Sequence, residues 1–313
     1  MRSAAGILTG ALHAVADALL AIRRYLLDRP WFTSTVLPAI PRPVRWAMRK
    51  AYLLPVDLID AATGRRRPMV PPRSEMFVGS VEDFESSGEL LVQRLTEVAG
   101  LRSDSHVLDI GCGIGREAVA LTSRLGPRGR YEGLDIVPSG IEWCTKNITP
   151  HYPVFRFTLA DVSNGEYNPD GAVAPTEYRL PYPDASFDIV VLTSVFTHML
   201  PAENEHYLEE IARVLKPGGR CFATYSLLNE ESRRLMAAGA SDTRFKHAVG
   251  PCAVVDTKVP ELAVAYEENY VREVSERFGL STAGGIYYGT WSGREPSARA
   301  SGLIQDLVLS TRS

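Results

Sequence analysis

From about residue 82 onward, apolar runs of strand length alternate with segments of helical periodicity. The strand-like runs lie at 106–110, 130–134, 154–159, 188–193 and 220–225. Helical patterns lie at about 83–99, 115–125, 138–148 and 203–215. Strands joined by helix-length connections imply right-handed βαβ crossovers. The sequence therefore predicts an α/β fold with a doubly wound, mostly parallel sheet that has helices on both faces.

The last part of the chain breaks this alternation. A helix predicted at about 266–279 is followed by two strand-like runs, 285–291 and 304–310, with no helix-length segment between them. Two strands connected in this way can pair antiparallel at one edge of a sheet. The long stretch 161–182, rich in Pro, Asn and Asp, predicts a surface loop.

Residues 1–75 have a different pattern. Apolar residues recur there at spacings of four and three, which predicts one helix with an apolar stripe. The stripe consists of Leu8, Leu12, Val15, Leu19, Ile22 and Leu26. A kinked, proline-rich connector is expected over 28–43, a short second helix over 44–54 and an exposed linker over 62–75. We therefore expect a helical N-terminal extension (1–75) joined to an α/β domain (76–313).

Charge divides the chain at the same place. The net charge of -3 is the sum of +7 over residues 1–75 (12 Arg/Lys, 5 Asp/Glu) and -10 over residues 76–313 (22 against 32). An acidic body argues against a nucleic-acid-binding core, since phosphate neutralisation needs a basic face. No run of about 18 uncharged apolar residues is present, so no membrane-spanning helix is expected. The four cysteines lack metal-ligand spacing, which favours a reduced cytoplasmic protein without a metal site.

The segment V-L-D-I-G-C-G-I-G at 107–115 carries the strongest chemical signal. An apolar strand runs into Gly111, Gly113 and Gly115, and a helix follows at once. Glycines at a strand-to-helix turn let the backbone approach a ligand closely, and the N–H groups at the helix start favour an anionic or polar group. The G-x-G-x-G spacing fits neither the dinucleotide fingerprint nor the phosphate loop.

Three acidic residues stand at the carboxyl ends of three successive predicted strands. Asp109 precedes the glycine loop, Asp135 ends the second strand and Asp161 follows the third. A carboxylate at the position of Asp135 can accept both hydroxyls of a ribose and repels a 2′-phosphate, which argues against NADP. Asp161 is placed to accept from the amino group of a base. Each acid alone could instead cap its own loop, but together they line one crevice.

These residues, with the strand 187–191 and the turn R-V-L-K-P-G-G at 213–219, resemble the class I S-adenosylmethionine-dependent methyltransferases over about 83–313. The resemblance implies a Rossmann-like, seven-stranded sheet with only the last strand antiparallel. It implies S-adenosyl-L-methionine as cofactor and S-adenosyl-L-homocysteine as product. It assigns the 111–115 backbone to the methionine part, Asp135 to the ribose, and Asp161 with Val162 to the adenine. The expected cofactor-binding residues are Asp109, Gly111, Cys112, Gly113, Gly115, Asp135, Ile136, Asp161, Val162 and Thr193.

His198 is the candidate general base. It follows the fourth predicted strand on the side of the cofactor crevice, and an imidazole with a pKa near 6.5 suits proton removal at neutral pH. A histidine that orients the loop or positions the substrate is the alternative. The residues expected to bind the acceptor are Phe77, His198, Tyr287, Tyr288 and Trp291. Alternating aromatic residues on a late strand are equally typical of a sheet core.

The expected function is methyl transfer to a small-molecule acceptor, a specialised metabolite or a lipid-like compound. Arg outnumbers Lys 29 to 5, which indicates a GC-rich bacterial source, where such enzymes are frequent. The alternative is a non-methylating protein on the same scaffold, of cyclase or decarboxylase type. An oxidoreductase with a variant dinucleotide loop is a third class, which the G-x-G-x-G spacing argues against.

Three interpretations of the N-terminal extension stay open. Its helix could cap the acceptor pocket, pair two chains into a homodimer, or lie on an anionic membrane as a peripheral contact. The third rests on aromatic residues (Trp31, Phe32, Trp46) interleaved with basic ones. The basic residues are Arg23, Arg24, Arg29, Arg42, Arg45, Arg49 and Lys50.

Overall fold

The computed structural model describes residues 4–77, 79–241 and 243–313. By internal contacts the chain divides into two compact units, residues 1–85 and residues 86–313. The boundary predicted from sequence, after residue 75, lies ten residues earlier. The assignment of residues 76–313 as a cofactor-binding domain stays a proposal.

The first unit is helical. Its helices are α1 (Ala4–Leu27), α2 (Leu37–Ala39) and α3 (Arg42–Ala62), with a π-helical segment Phe32–Val36 before α2. The kinked connector predicted over 28–43 is therefore largely helical, with breaks at 28–29 and 40–41. A proline stands in the first turn of α3, where a missing N–H breaks no intrahelical bond. The second helix is also longer than expected and continues past Pro55.

The stretch 62–75 is not an exposed linker, because Arg73 ties it to α3. The backbone N–H groups of Arg73 and Ser74 each donate to the Asp57 carboxylate at 2.8 Å. The Arg73 guanidinium donates to Asp60 at 3.0 Å and to Glu82 at 2.9 Å. Val70 and Ser74 are consequently buried, although residues 64–68 are exposed.

Helix α1 also differs from the sequence prediction in two respects. By length and composition alone, the segment Gly6–Leu27 is apolar enough to cross a membrane, which the search for a run of 18 uncharged residues did not detect. The predicted stripe divides into two sets. Leu12 and Leu19 are partly buried, whereas Leu8 and Val15 are 63% and 53% exposed.

The second unit contains the sheet that the alternating pattern predicts. Its described strands are β1 (His106–Ile110), β2 (Arg130–Asp135), β3 (Phe155–Leu159), β4 (Phe187–Leu192), β5 (Leu215–Tyr225), β6 (Leu227–Leu228), β7 (His247–Val249), β8 (Cys252–Val254), β9 (Val264–Glu267), β10 (Leu280–Ser281), β11 (Ile286–Tyr287) and β12 (Asp306–Arg312). Its helices are α4, which begins at the end of the first unit (Phe84–Ala99), α5 (Arg116–Leu121), α6 (Pro138–Asn147), α7 (Pro201–Val214), α8 (Glu230–Ala237) and α9 (Glu268–Arg277).

The main sheet has the strand order β10-β12-β5-β4-β1-β2-β3, with β11 paired to β12. The five strands from β1 to β5 pair in parallel, and β12 runs antiparallel to β5. The prediction of a mostly parallel sheet with an antiparallel last strand is therefore confirmed. The late antiparallel pair is also present, with Ile286 opposite Val308 and Tyr287 opposite Leu307. In a sheet of this kind, ligands bind beyond the carboxyl ends of the strands.

A second, four-stranded sheet was not predicted. Its order is β6-β9-β8-β7, and it is inserted between β5 and α9. Its strands have two to four residues each, too few to show a period of two in the sequence. Part of the helix predicted from residue 266 is in fact the end of β9. The sequence around 161–182 forms the expected loop, with isolated bridges at 162–173 and 164–168.

Candidate active site

The glycine loop joins β1 to α5 with three residues in the left-handed region. Gly111, Gly113 and Gly115 have φ of 80°, 59° and 81°. The N–H groups of Gly111 and Cys112 both donate to the Leu134 carbonyl, at 2.7 and 3.1 Å, which fixes the loop to the end of β2. A Cβ atom on Gly111 would lie 2.3 Å from Cγ2 of Val195. Glycine is therefore required at position 111 for two independent reasons, the φ angle and the lack of space.

Gly113 lies at the open part of this loop. A Cβ atom built on it would meet no atom of the described structure within 4 Å. Its N–H donates to Oδ2 of Asp135 at 2.7 Å, so the loop and the end of β2 meet as the sequence predicted. Open space beside a left-handed glycine is what close approach of a ligand to the backbone needs.

Asp135 is buried at the carboxyl end of β2. Its second oxygen, Oδ1, accepts from the N–H of Val137 at 2.8 Å. Burial raises the pKa of this carboxyl, and the backbone N–H donors oppose that rise. Each carboxylate oxygen can accept more than one hydrogen bond. Asp135 therefore has acceptor capacity left for the two hydroxyls of a ribose, and that role stays a prediction.

Asp109 has a structural partner. It is buried, and the Tyr131 hydroxyl donates to its Oδ2 at 2.6 Å. Burial raises the pKa of Asp109 well above its usual value, and the nearby Glu117 adds to this. Glu117 is itself buried at the start of α5 and pairs with Arg116 at 3.2 Å. Asp109 thus supports the loop from beneath, in addition to any contact with a ligand.

Asp161 and its neighbours lie on an outer loop. The Asp161 side chain is exposed and accepts from the N–H of Ala172 at 3.3 Å, while its carbonyl accepts from Val173 at 3.0 Å. This is the loop-capping arrangement that the sequence left open for each acid. Val162 is buried and Ile136 partly buried against the main core. A contact of these residues with an adenine stays a prediction.

Thr193, directly after β4, supplies an independent observation. Its Oγ1 is buried and has no hydrogen-bond partner among the described residues. A buried hydroxyl without a partner is costly, so such groups normally meet a ligand or water. Three features fit a cofactor with polar groups, such as S-adenosylmethionine. They are the open loop at Gly113, the remaining acceptor capacity of Asp135 and the unpaired hydroxyl of Thr193.

A polar network next to Thr193 was missed by sequence reasoning. Ser194 has φ of 60°, which is rare for a residue other than glycine. Its N–H donates to Oγ1 of Thr224 at 2.8 Å, and its hydroxyl donates to Oε1 of Gln305 at 3.0 Å. The Thr224 hydroxyl donates to the same oxygen at 2.5 Å, and Nε2 of Gln305 donates to Thr197 at 3.2 Å. Gln305 thus holds the turn that carries His198. Because the two residues are 107 positions apart in the sequence, no local motif could have shown this contact.

His198 lies in a 3₁₀ turn, Phe196–His198, between β4 and α7. Its Nδ1 is 2.8 Å from the Glu261 carbonyl oxygen. A carbonyl only accepts, so Nδ1 carries the proton and Nε2 of the neutral ring has its lone pair free. Burial lowers the pKa of His198, which favours this neutral form near pH 7. The protonation state is the one that a general base requires.

The loop after β3 packs around His198. The Asn164 side chain donates to the His198 carbonyl at 3.2 Å, and the Tyr167 ring lies edge-on to the imidazole with centroids 5.3 Å apart. The Tyr266 hydroxyl donates to the next carbonyl, that of Met199, at 2.7 Å. Neither Tyr167 nor Tyr266 was singled out from sequence, because they belong to a surface loop and to the unpredicted small sheet.

The aromatic residues predicted to bind the acceptor are not equivalent. Trp291 is buried, donates from Nε1 to Asp306 at 2.6 Å and packs against Phe245, so it belongs to the core of the small sheet. The Tyr288 hydroxyl donates to Glu268 at 2.9 Å, and the Tyr287 hydroxyl donates to the Gly284 carbonyl at 2.8 Å. Both tyrosines are partly buried and remain candidates, whereas Trp291 is better explained by the sheet-core alternative.

Phe77 lies in the first unit, partly buried, with its ring centroid 6.5 Å from that of Trp46. Its predicted contact with an acceptor stays a prediction, and Val78 beside it is outside the described residues. No group of three or more His, Cys, Asp or Glu side chains that could hold a metal ion is found in the part of the chain that the structure describes.

Comparison with known proteins finds one domain match, and it lies within the second unit. Residues 108–223, which include the glycine loop, Asp135 and the segment 213–219 at the start of β5, match the model of a methyltransferase domain. In this region the chain is similar to the class I S-adenosylmethionine-dependent methyltransferases. S-Adenosylmethionine is the cofactor of this family, and the loop, Asp135 and Thr193 fit it.

Two curated proteins to which this chain is similar are methyltransferases by their names. A probable phthiotriol/phenolphthiotriol dimycocerosates methyltransferase 2 of Mycobacterium ulcerans is 37% identical over 117 residues, 37% of this chain and 38% of that protein. The 27-O-demethylrifamycin SV methyltransferase of Amycolatopsis mediterranei is 31% identical over 184 residues, 57% of this chain and 58% of that protein. The crystal structure of the PH0226 protein from Pyrococcus horikoshii OT3 is 16% identical, with a TM-score of 0.49 over 73% of this chain and 90% of that one.

Proposed function

We propose that the protein transfers a methyl group from S-adenosylmethionine to a small-molecule acceptor, either a specialised metabolite or a lipid-like compound. The observation that carries the proposal is the meeting of the 111–115 loop, Asp135 and the unpaired Thr193 hydroxyl at the carboxyl edge of the sheet. The names of the two relatives support a small-molecule acceptor, but each match covers less than two thirds of the relative's length.

When bound, S-adenosylmethionine supplies a methyl group on a sulfonium, which is already a good leaving group. The chain therefore has to position the acceptor and, for a hydroxyl or ammonium nucleophile, to remove a proton. His198 is proposed as the base, with Nε2 as the accepting atom because Nδ1 is held by Glu261. Gln305 and Asn164 keep the turn of His198 in place. Tyr287 and Tyr288 are proposed to contact the acceptor.

We also propose that the protein is cytoplasmic and acts as a monomer or a homodimer, with peripheral membrane contact through the N-terminal unit. The acidic second unit, which has a net charge of -10 over 76–313, supports the absence of a nucleic-acid partner.

The test is to incubate the purified protein with methyl-labelled cofactor and a bacterial extract divided into lipid and polar fractions. Release of S-adenosylhomocysteine, together with label in an organic-soluble product, is expected. Heat-inactivated protein provides the control. If the protein binds the cofactor but releases no S-adenosylhomocysteine with any fraction, the non-methylating alternative replaces this proposal.

A further inference from the structure

Helix α1 presents an apolar face that the first unit leaves exposed. Ile7, Leu8, Val15, Ile22 and Tyr25 are each more than half exposed. On the other side of the same helix, Ala16 is fully buried, and α1 packs along α3. The exposed residues are larger and more apolar than the one buried most deeply, which is the reverse of an ordinary surface helix.

Helix α3 also presents apolar residues that are exposed. Val44, Met48, Leu54 and Leu58 are exposed at spacings of four, six and four, and the positions between them on that face are Ala47 and Ala51. The opposite face carries Asp57 and Asp60, which are buried and bonded to Arg73. That face also carries Leu53 and Val56, which are buried, so α3 has apolar residues on its exposed face as well as on its buried face. We call these exposed residues of α1 and α3 the apolar outer surface. Large apolar side chains exposed in such number on two packed helices are typical of an interaction site.

Basic and aromatic side chains accompany the apolar outer surface. Arg24, Arg29 and Lys50 are exposed, and the Arg29 guanidinium stacks on the Tyr25 ring at 4.2 Å. Trp31 and Trp46 are about half exposed. Apolar residues flanked by Arg, Lys and Trp are the composition of helices that lie in the interface of an anionic bilayer.

We infer that the apolar outer surface docks on an anionic lipid bilayer, with α1 and α3 lying in the interface. The inference deepens the membrane contact proposed above, and it does not depend on which acceptor is methylated. Charge decides between lipid and a second copy of this chain. A twofold pairing would bring two segments of net +7 together, whereas anionic headgroups attract that charge.

The contacts of α1 argue for lying in the interface and against crossing it. Asp17 stands near the middle of Gly6–Leu27 and is paired with Arg65 at 2.9 Å. The Tyr52 hydroxyl on α3 donates to the Leu19 carbonyl of α1. A crossing helix would either break this pair and leave Asp17 alone in hydrocarbon, or draw Arg65 and its basic neighbours in with it.

The experiment is flotation of the full-length protein with vesicles of phosphatidylcholine alone or with 30% phosphatidylglycerol. The variants are Val15→Glu on α1, Leu58→Glu on α3 and their combination. Val249→Glu is the matched control, because Val249 is an exposed apolar residue of the second unit. Arg24→Glu with Lys50→Glu tests the charge contribution. Circular dichroism and S-adenosylhomocysteine binding verify that each variant is folded.

We expect the wild type and Val249→Glu to float with the anionic vesicles, less so in 0.5 M NaCl, and to be released by alkaline carbonate. The double glutamate variant should bind at least tenfold more weakly. Absence of flotation by the wild type overturns the inference, as does unchanged flotation of the double variant. Resistance to carbonate would show a crossing helix instead. If the wild type does not float but is a dimer in light scattering, and the double variant is a monomer, a second copy of this chain is the occupant instead. None of these results bears on methyl transfer, which is assayed without vesicles.

Discussion

Replacing Asp306 by asparagine should change how the stability of the protein depends on pH. Asp306 is fully buried at the start of β12, next to Gln305. Its Oδ2 accepts from the Leu227 N–H at 2.9 Å and from Trp291 at 2.6 Å, and its Oδ1 accepts from the Gly289 N–H at 2.9 Å. Burial raises its pKa from 3.8 to about 6 despite these three donors.

The sign follows from proton binding. Between pH 4 and 6 the native state holds a proton on Asp306 that the unfolded chain has released, so its contribution to stability is present at low pH and is lost as pH rises through about 6. A difference of about two pKa units corresponds to about 3 kcal/mol of the free energy of unfolding. About 2–3 kcal/mol of this stabilisation is lost between pH 4 and pH 7.5. Asp306→Asn removes this dependence.

The assay is urea unfolding of the wild type and Asp306→Asn at pH 4, 5, 6 and 7.5, monitored by tryptophan fluorescence. The variant should also be less stable by a constant amount, because its amide N–H₂ faces one donor, but only the change with pH is diagnostic. The wild type should lose about 2–3 kcal/mol relative to the variant over this range. Parallel pH curves for the two proteins would refute the raised pKa and the burial argument on which it rests.

Three further substitutions test the site. Thr193→Val should stabilise the cofactor-free protein by about 1 kcal/mol, because it removes a buried unpaired hydroxyl. It should weaken S-adenosylhomocysteine binding about 2- to 10-fold in calorimetry. Unchanged affinity would exclude the hydroxyl as a ligand. His198→Ala should lower turnover roughly 10²- to 10⁴-fold without a change in cofactor affinity. Turnover of the wild type should rise with pH through an apparent pKa below 6.5. A loss of turnover under about fivefold would return His198 to a positioning role. Gly111→Ala should lower the melting temperature more than Gly250→Ala. Both substitutions strain a left-handed residue, but only the Cβ atom added at position 111 would lie 2.3 Å from Cγ2 of Val195. Equal losses in melting temperature would contradict the crowding at the loop.

The parallel sheet could be predicted from the sequence because its inner strands are mostly buried on both faces. Such strands appear as short continuous apolar runs, and 106–110 was placed without error. β5 begins five residues earlier than predicted, since Lys216, Pro217 and the glycines after it give no apolar signal. The small sheet was missed for a similar reason: β7 is exposed throughout and has only three residues.

The first unit was predicted least well, because the apolar stripe of α1 left three interpretations open and did not show which of its residues are buried. Burial cannot be read from an apolar period when the buried side is made of small residues such as Ala16. At the site, the glycine loop and Asp135 directly follow or end predicted strands, so the sequence could predict that they lie close together. Gln305 and Glu261 reach the His198 turn only through the fold, so no spacing in the sequence relates them to it.

Calorimetric titration of S-adenosylhomocysteine into the wild type and Asp135→Ala is the most direct test of the cofactor site. The wild type should bind, and the variant should bind about 10- to 150-fold more weakly, which corresponds to about 1.5–3 kcal/mol for hydrogen bonds to a charged group. A melting curve of Asp135→Ala verifies its fold, since this carboxylate also accepts from the Gly113 and Val137 N–H groups. Equal affinity of the two proteins would contradict the ribose assignment, and binding of NAD in place of S-adenosylhomocysteine would contradict the account as a whole.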